Sequence, residues 1–217
     1  MGRVILSGLQ RLIERAVFPV PSSGTLFNPY SSDHPAADRP GAFRIRRANL
    51  RNFLTSYAEP PRVLIVGEAS GPWGCRFSGV PFTSEKQLTS GMLPFSGRQS
   101  STATEPCRER TADIFWDVMA RYHPQCFIWN AVPLHPHFAG EPFSLRRPCP
   151  AEVKAFSDLL SAIIAMLKPR CTVAVGRIAE RALQSIDVVP VYVRHPSHGG
   201  NKEFKTGIER ILDRNYL

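Results

Sequence analysis

Apolar residues in this chain fall into two alternating patterns. Residues 63–66 (Val-Leu-Ile-Val), 127–129 (Phe-Ile-Trp), 172–175 (Thr-Val-Ala-Val) and 188–193 (Val-Val-Pro-Val-Tyr-Val) are short apolar runs, mostly β-branched or aromatic. Such runs suit strands covered on both faces of a parallel sheet. Between and after them, residues 109–122, 151–167, 178–185 and 202–213 carry the three-to-four-residue spacing of amphipathic helices. Strands alternating with helices, joined by right-handed crossovers, predict a three-layer α/β/α sandwich around a central four-stranded parallel sheet. Pro190 cannot donate to a ladder, so the last strand is expected at an edge.

Upstream, Leu6, Leu9, Ile13 and Val17 predict a helix over residues 4–17, followed by a Pro- and Ser-rich stretch to about residue 40. A further helix is expected over 41–57, with Phe43, Leu50, Leu54 and Tyr57 on one face and Arg44, Arg47 and Arg51 on another. That basic face suits phosphates or plain solvent. The organisation is therefore an N-terminal helix and arm over 1–40 and one α/β domain over 41–217. A chain of 217 residues with 43% hydrophobic content can bury one sizeable core.

Lys and Arg number 27 against 18 Asp and Glu, a net charge of +9 that points to a polyanionic partner. No run approaches the ~20 apolar residues of a membrane span. Val4-Ile5-Leu6 meets Arg11, Glu14 and Arg15 too early for a secretory leader, so the expected location is the cytoplasm, at the nucleoid of a bacterium or in a eukaryotic nucleus. The five cysteines, Cys75, Cys107, Cys126, Cys149 and Cys171, form no C-x-x-C pair, which argues against a disulfide framework or a zinc site. Cys126 and Cys171 begin apolar runs and read as small core residues.

Three pieces stand where an apolar run gives way to a loop: Gly67-Glu68-Ala69-Ser70-Gly71 leading to Phe82, Trp129-Asn130-Ala131-Val132-Pro133, and His195-Pro196-Ser197. The carboxyl ends of parallel strands are where ligands sit in open α/β sheets, and the three pieces are expected to converge there. Taken alone, residues 67–74 could cradle a phosphate at a helix N-terminus. They lack G-x-G-x-x-G and a P-loop Gly-Lys-Ser/Thr, which leaves a nucleotide-binding α/β protein as the weaker reading.

In this order the motifs resemble those of the uracil-DNA glycosylase superfamily. Gly79-Val80-Pro81-Phe82 is similar to an element of the single-strand-selective monofunctional branch, and Gly67-Glu68-Ala69-Ser70-Gly71 is closer to the thermostable iron–sulfur branch. Asn130-Ala131-Val132-Pro133-Leu134 resembles the base-reading motif, His195-Pro196-Ser197 the second catalytic motif, and Gly176-Arg177-Ile178-Ala179-Glu180 the third strand's end and helix start. The iron–sulfur branch has two cluster cysteines ahead of its first motif, whereas no cysteine here precedes Cys75. Neither a cofactor nor a metal is therefore expected.

The resemblance implies a monomeric DNA repair hydrolase that flips uracil from DNA and cuts its N-glycosidic bond, leaving an abasic site. Asn130 would read the base, its amide oxygen accepting from N3–H and its nitrogen donating to O4. Cytosine reverses that edge and would leave buried polar groups unpaired, at roughly 1–3 kcal/mol each. Phe82 would stack on the base, with Phe77 as the competing ring, and Gly67, Ala69 and Gly71 would line it. His195 would donate to O2, where negative charge collects.

Glu68 is the candidate carboxylate for the water and the sugar cation, because Ala69 stands where other branches carry Asp or Asn. Ser70 replaces a proline. Gly71 replaces a Tyr that packs against the base C5, implying room for 5-hydroxymethyluracil. DNA contacts are expected from Ser197, His198, Gly199, Gly200, Asn201, Lys202 and Arg177. Gly199 and Gly200 offer no wedge to replace a flipped base, which favours single strands or mismatches. Within the family, the rival is a protein that binds uracil-DNA tightly or covalently with little turnover. The Thr-, Ser- and Gly-rich insertion over 84–108 lacks the histidine and dense basic cluster such trapping would use.

Overall fold

The computed structural model describes residues 2–197 and 199–215. In chain order the elements are α1 (Gly2–Val17), β1 (Leu26–Phe27), α2 (Ala42–Thr55), β2 (Val63–Ala69), α3 (Cys75–Ser78), α4 (Glu85–Thr89), α5 (Arg110–Met119), β3 (Cys126–Val132), β4 (His135–Pro136), α6 (Pro150–Ala155), α7 (Ser157–Leu167), β5 (Cys171–Val175), α8 (Arg177–Gln184), β6 (Val191–Val193) and α9 (Asn201–Asn215). The main sheet has four parallel strands in the order β3-β2-β5-β6. The chain steps one way from β2 to β3 and the other way from β3 to β5 and on to β6. Right-handed crossovers then put α5 on one face and α6, α7 and α8 on the other, which makes the three layers.

The continuous apolar runs become the centre of the core: Val63 to Val66 and Cys126 to Ile128 are wholly buried, as are Val173, Ala174 and Val175. Cys126 and Cys171 are buried there as reduced thiols. The last strand is an edge strand, but a shorter one than the apolar run predicts. Asp187 takes a left-handed φ of 59° and Pro190 has no N–H to offer, so residues 188–190 stay outside the ladder and Val189 is exposed. The helix expected over 151–167 is two helices. Pro150 and a capping box between Cys149 and Glu152 start α6, and Phe156, at φ −112° and ψ 8°, separates it from α7.

The N-terminal segment is part of this core. Leu9, Ile13 and Val17 of α1 are buried, and the helix packs on α7 and α2. The arm after it runs inward, with Tyr30 donating its hydroxyl to Gly79 O at 2.8 Å. Two arginines of the supposed basic face of α2 are engaged within the protein: Arg47 donates to Tyr30 O, and Arg51 pairs with Glu14 at 2.8 Å.

One charged cluster is wholly buried. Asp38 of the arm pairs with Arg46 of α2 at 3.1 Å and with Arg76 of α3 at 2.8 Å, all three side chains being inaccessible to solvent. Arg46 also donates to Pro29 O and Ser32 O, and Arg76 lies against the rings of Phe77, Phe27 and Phe143. Beside them the buried Glu85 carboxylate accepts from the backbone N–H of Ser100, Ser101 and Cys107 and from the Ser101 hydroxyl. Residues 84–108 are thereby folded onto the domain.

Asp38→Ala would leave two buried guanidinium groups sharing no carboxylate. The expected loss is about 3–5 kcal/mol of unfolding free energy in urea titrations, and a loss below about 1 kcal/mol would show that water or rearranged partners replace the carboxylate.

Candidate active site

Parallel pairing sets Gly67 of β2 directly beside Asn130 of β3. Paired residues of neighbouring strands point to the same face, and here they share that face with Phe82. A Cβ built on Gly67 would overlap Cε2 and Cζ of the Phe82 ring and lie 2.6 Å from Asn130 Oδ1. No residue other than glycine fits at 67 with ring and amide in these positions. Asn130 is 3% exposed, and among the described residues its side-chain amide has no hydrogen-bond partner. A buried amide in that state has its donors and its acceptor available for a ligand.

Phe82 is held in a strained backbone conformation, φ 53°, and its ring stacks on Phe115 of α5 at 4.3 Å between centroids and 12° between planes. A bulky residue in the left-handed region is uncommon outside sites where the surroundings impose it. Its neighbour Phe77 lies elsewhere, stacked with Trp73 and Phe143. The His195 ring is 6.3 Å from the Phe82 ring, so the third piece reaches the same place. Ser197 fixes the imidazole: its backbone N–H donates to Nδ1 at 3.2 Å and its hydroxyl lies 2.8 Å from the same atom. A backbone N–H can only donate, so Nδ1 is the acceptor and the neutral ring carries its proton on Nε2.

Ser70 joins the first two pieces. Its hydroxyl donates to Pro133 O at 2.8 Å, its N–H donates to Leu134 O, and its carbonyl accepts from His135 Nδ1 at 2.8 Å. Burial pushes the His135 pKa down to about 4, which keeps that ring neutral. The Cys75 thiol packs against the Ser70 hydroxyl at 3.0 Å, and burial raises its pKa to about 12. These contacts lock together the turns after β2 and β3.

The remaining candidates are more scattered. Successive strand residues face opposite ways, so Glu68 leaves β2 on the face away from Gly67 and Asn130. Burial raises its pKa, partly offset by the positive charge of Arg147. Ser197, Gly199 and Asn201 line a cavity of about 290 Å³ together with Arg110, Thr111, Ile114 and Pro196. Lys202, in the first turn of α9, lies on the side of Glu203, Thr206 and Arg210. Arg177, at the start of α8, is exposed, pairs with Glu180 at 2.7 Å and lies over the Tyr192 ring. The histidine at 198 lies outside the described residues.

The space expected beside Gly71 is occupied. A Cβ on Gly71 would overlap Glu109 Oε1 and one on Gly74 would overlap Oε2, so the Glu109 carboxyl fills the hollow that the two glycines leave. Glu109 is the N-cap of α5, and sequence reasoning assigned it nothing beyond a helix start. Among the described residues its carboxyl has no hydrogen bond or ion pair, and burial raises its pKa to about 7. The sequence signal that could have exposed it is weak: an acidic residue at the start of the helix that carries Phe115, 38 positions after Gly71.

Comparison with known proteins gives one family. Residues 55–212 match the Uracil DNA glycosylase superfamily. Among solved structures, the chain is similar to wild-type SMUG2 of Pedobacter heparinus, with a TM-score of 0.60 and 17% identity, covering 95% of this chain and 99% of that one, a likeness of fold. No curated protein matches.

The Glu109 carboxyl makes a pH-dependent contribution whose sign follows from its raised pKa. Below about pH 4.5 the folded and unfolded chains both hold the proton; between about 4.5 and 7 the unfolded chain releases it first, and stability falls. Unfolding free energies of wild type and Glu109→Gln should therefore diverge across that range, by up to roughly 3 kcal/mol in favour of the variant. A difference constant from pH 4 to pH 8 would show that Glu109 titrates as an ordinary carboxylate.

Proposed function

This chain belongs to the uracil DNA glycosylase superfamily, and we propose that it is a DNA repair glycosylase that takes uracil out of the strand and hydrolyses its N-glycosidic bond to leave an abasic site. The observation that carries this reading is the meeting of an unpartnered buried amide, Asn130, with the ring of Phe82 across Gly67. Uracil offers N3–H to Asn130 Oδ1 and O4 to Nδ2, and its ring stacks against Phe82.

Bond cleavage sends the N1–C1′ electron pair into the base, where charge collects at O2. His195, whose neutral ring carries its proton on Nε2, stabilises that charge where it develops. The sugar becomes cationic and is captured by water, a step that calls for a carboxylate. The cavity beside Pro196, Ser197, Gly199 and Asn201, with Arg110 at its border, is suited to the DNA backbone, and the net charge of +9 favours the same partner. Gly199 and Gly200 carry no side chain to fill a gap in a duplex, which supports a preference for single strands or mismatches. With Gly71 set against the base C5, the Glu109 carboxyl in that hollow crowds an oxidised C5 substituent, so such bases are accepted more slowly than uracil.

The test is a labelled oligonucleotide with one uracil, presented as a single strand, a U·G duplex and a U·A duplex, followed by alkali. Strand scission should be fastest on the single strand and slowest on U·A, with Asn130→Ala and His195→Ala each slowing it by about 10²-fold or more. Absence of scission on all three substrates would falsify the reading. Heat-stable adducts on a denaturing gel would replace it with a DNA-trapping protein, and retention on a nucleotide resin without DNA affinity with a nucleotide-binding one.

A further inference from the structure

Hydrolysis of the glycosidic bond requires a group to take the proton of the attacking water. Ala69 is a methyl group, and Glu68 leaves β2 away from Asn130. The carboxyl seated in the first motif comes from elsewhere in the chain. Glu109 stands at the N-cap position of α5, the helix whose Phe115 backs the Phe82 ring, and its two oxygens occupy the hollow at Gly71 and Gly74, at the end of the strand that carries Gly67. The next residues of the same helix, Arg110 and Thr111, border the cavity that Pro196 and Ser197 close from the His195 side.

Resting on the glycosylase reading, we propose that Glu109 is the general base of this site, supplied from α5 in place of the acidic side chain that the first motif lacks at Ala69. The water oxygen bonds to C1′ as the N1–C1′ bond breaks. The bonding pair leaves with the base, held at O2 by His195, and the water proton passes to a Glu109 oxygen. Solvent then protonates the departed base and takes the proton from Glu109.

Several features suit a base of this kind. The carboxyl has no competing hydrogen bond or ion pair among the described residues. Its pKa, raised by burial to about 7, lets it accept and release a proton near neutrality. Of the titratable groups on the elements packed around it, the Cys75 thiol of α3 faces it, and that thiol's pKa of about 12 keeps it uncharged. Arg110 lines the adjoining cavity, while Arg108 is occupied by Asp113 at 2.5 Å.

The test is single-turnover uracil excision by the full-length protein from pH 5 to pH 9, with dissociation constants for the same uracil oligonucleotide. Wild-type rates should rise through pH 7. Glu109→Gln should lose about 10²-fold or more in rate with affinity unchanged within about threefold, and should lose the rise near pH 7. Gly71→Ala, which pushes the carboxyl aside without removing it, should lower the rate while leaving some of the pH rise, and Glu109→Asp should recover part of the Gln variant's loss. Thermal scans verify that each variant is folded. An active wild type whose rate and pH profile survive Glu109→Gln overturns this assignment alone; a wild type inactive on every uracil substrate overturns the glycosylase reading and this assignment with it.

Discussion

One buried carboxylate holding two buried arginines is the contact on which the site depends. Asp38 comes from the N-terminal arm, Arg46 from α2 and Arg76 from α3, so a single side chain ties three segments that sequence keeps far apart. Immediately after α3 come Gly79 and Phe82, and the arm's Tyr30 bonds to Gly79 as well. A buried charge cluster of this kind gives little net stability compared with an apolar core, yet removing one partner is costly. What it provides is position: the loop before Phe82 has few other ways to arrange its backbone.

That fixed loop explains how a strained phenylalanine persists. Its unfavourable φ is sustained by the stack on Phe115 beneath it and by the anchored residues before it. On the facing side, Ser70 stitches the turn after β2 to the turn after β3 with three hydrogen bonds. A proline at that position would supply stiffness but neither the N–H nor the hydroxyl. The amide of Asn130, which has no hydrogen-bond partner among the described residues, is thus held by backbone contacts rather than by bonds to its own polar atoms.

The strands were legible because runs such as Val63 to Val66 have no polar residue to confuse a buried strand with anything else. The same property placed Gly67, Asn130 and His195 toward strand ends; sheet order makes Gly67 and Asn130 neighbours, whereas His195 follows β6, two places from β2, and reaches them through its loop. Arg46 and Arg76 were not legible: arginine reads as surface in any local pattern, and the carboxylate that permits its burial lies 8 and 38 positions away. Glu109 was hidden for a related reason, since its seat is made by glycines that say only that something approaches closely. The division of the helix at Phe156 escaped because its apolar spacing continues through the break.

Sheet order has a consequence for how the chain reaches this state. β2 is the first strand of the main sheet to be synthesised, yet it ends between β3, which begins 63 residues later at Cys126, and β5, which begins 108 residues later at Cys171. Until β3 arrives, Val63 to Val66 have two open edges, and until β5 arrives one edge stays open. Loop-closure entropy must be spent before these distant pairings return any stability, so folding of this topology is slow compared with a helical bundle of equal length. A nascent chain therefore carries an incompletely paired apolar strand for the 108 residues between the starts of β2 and β5, an interval in which its open edge favours aggregation.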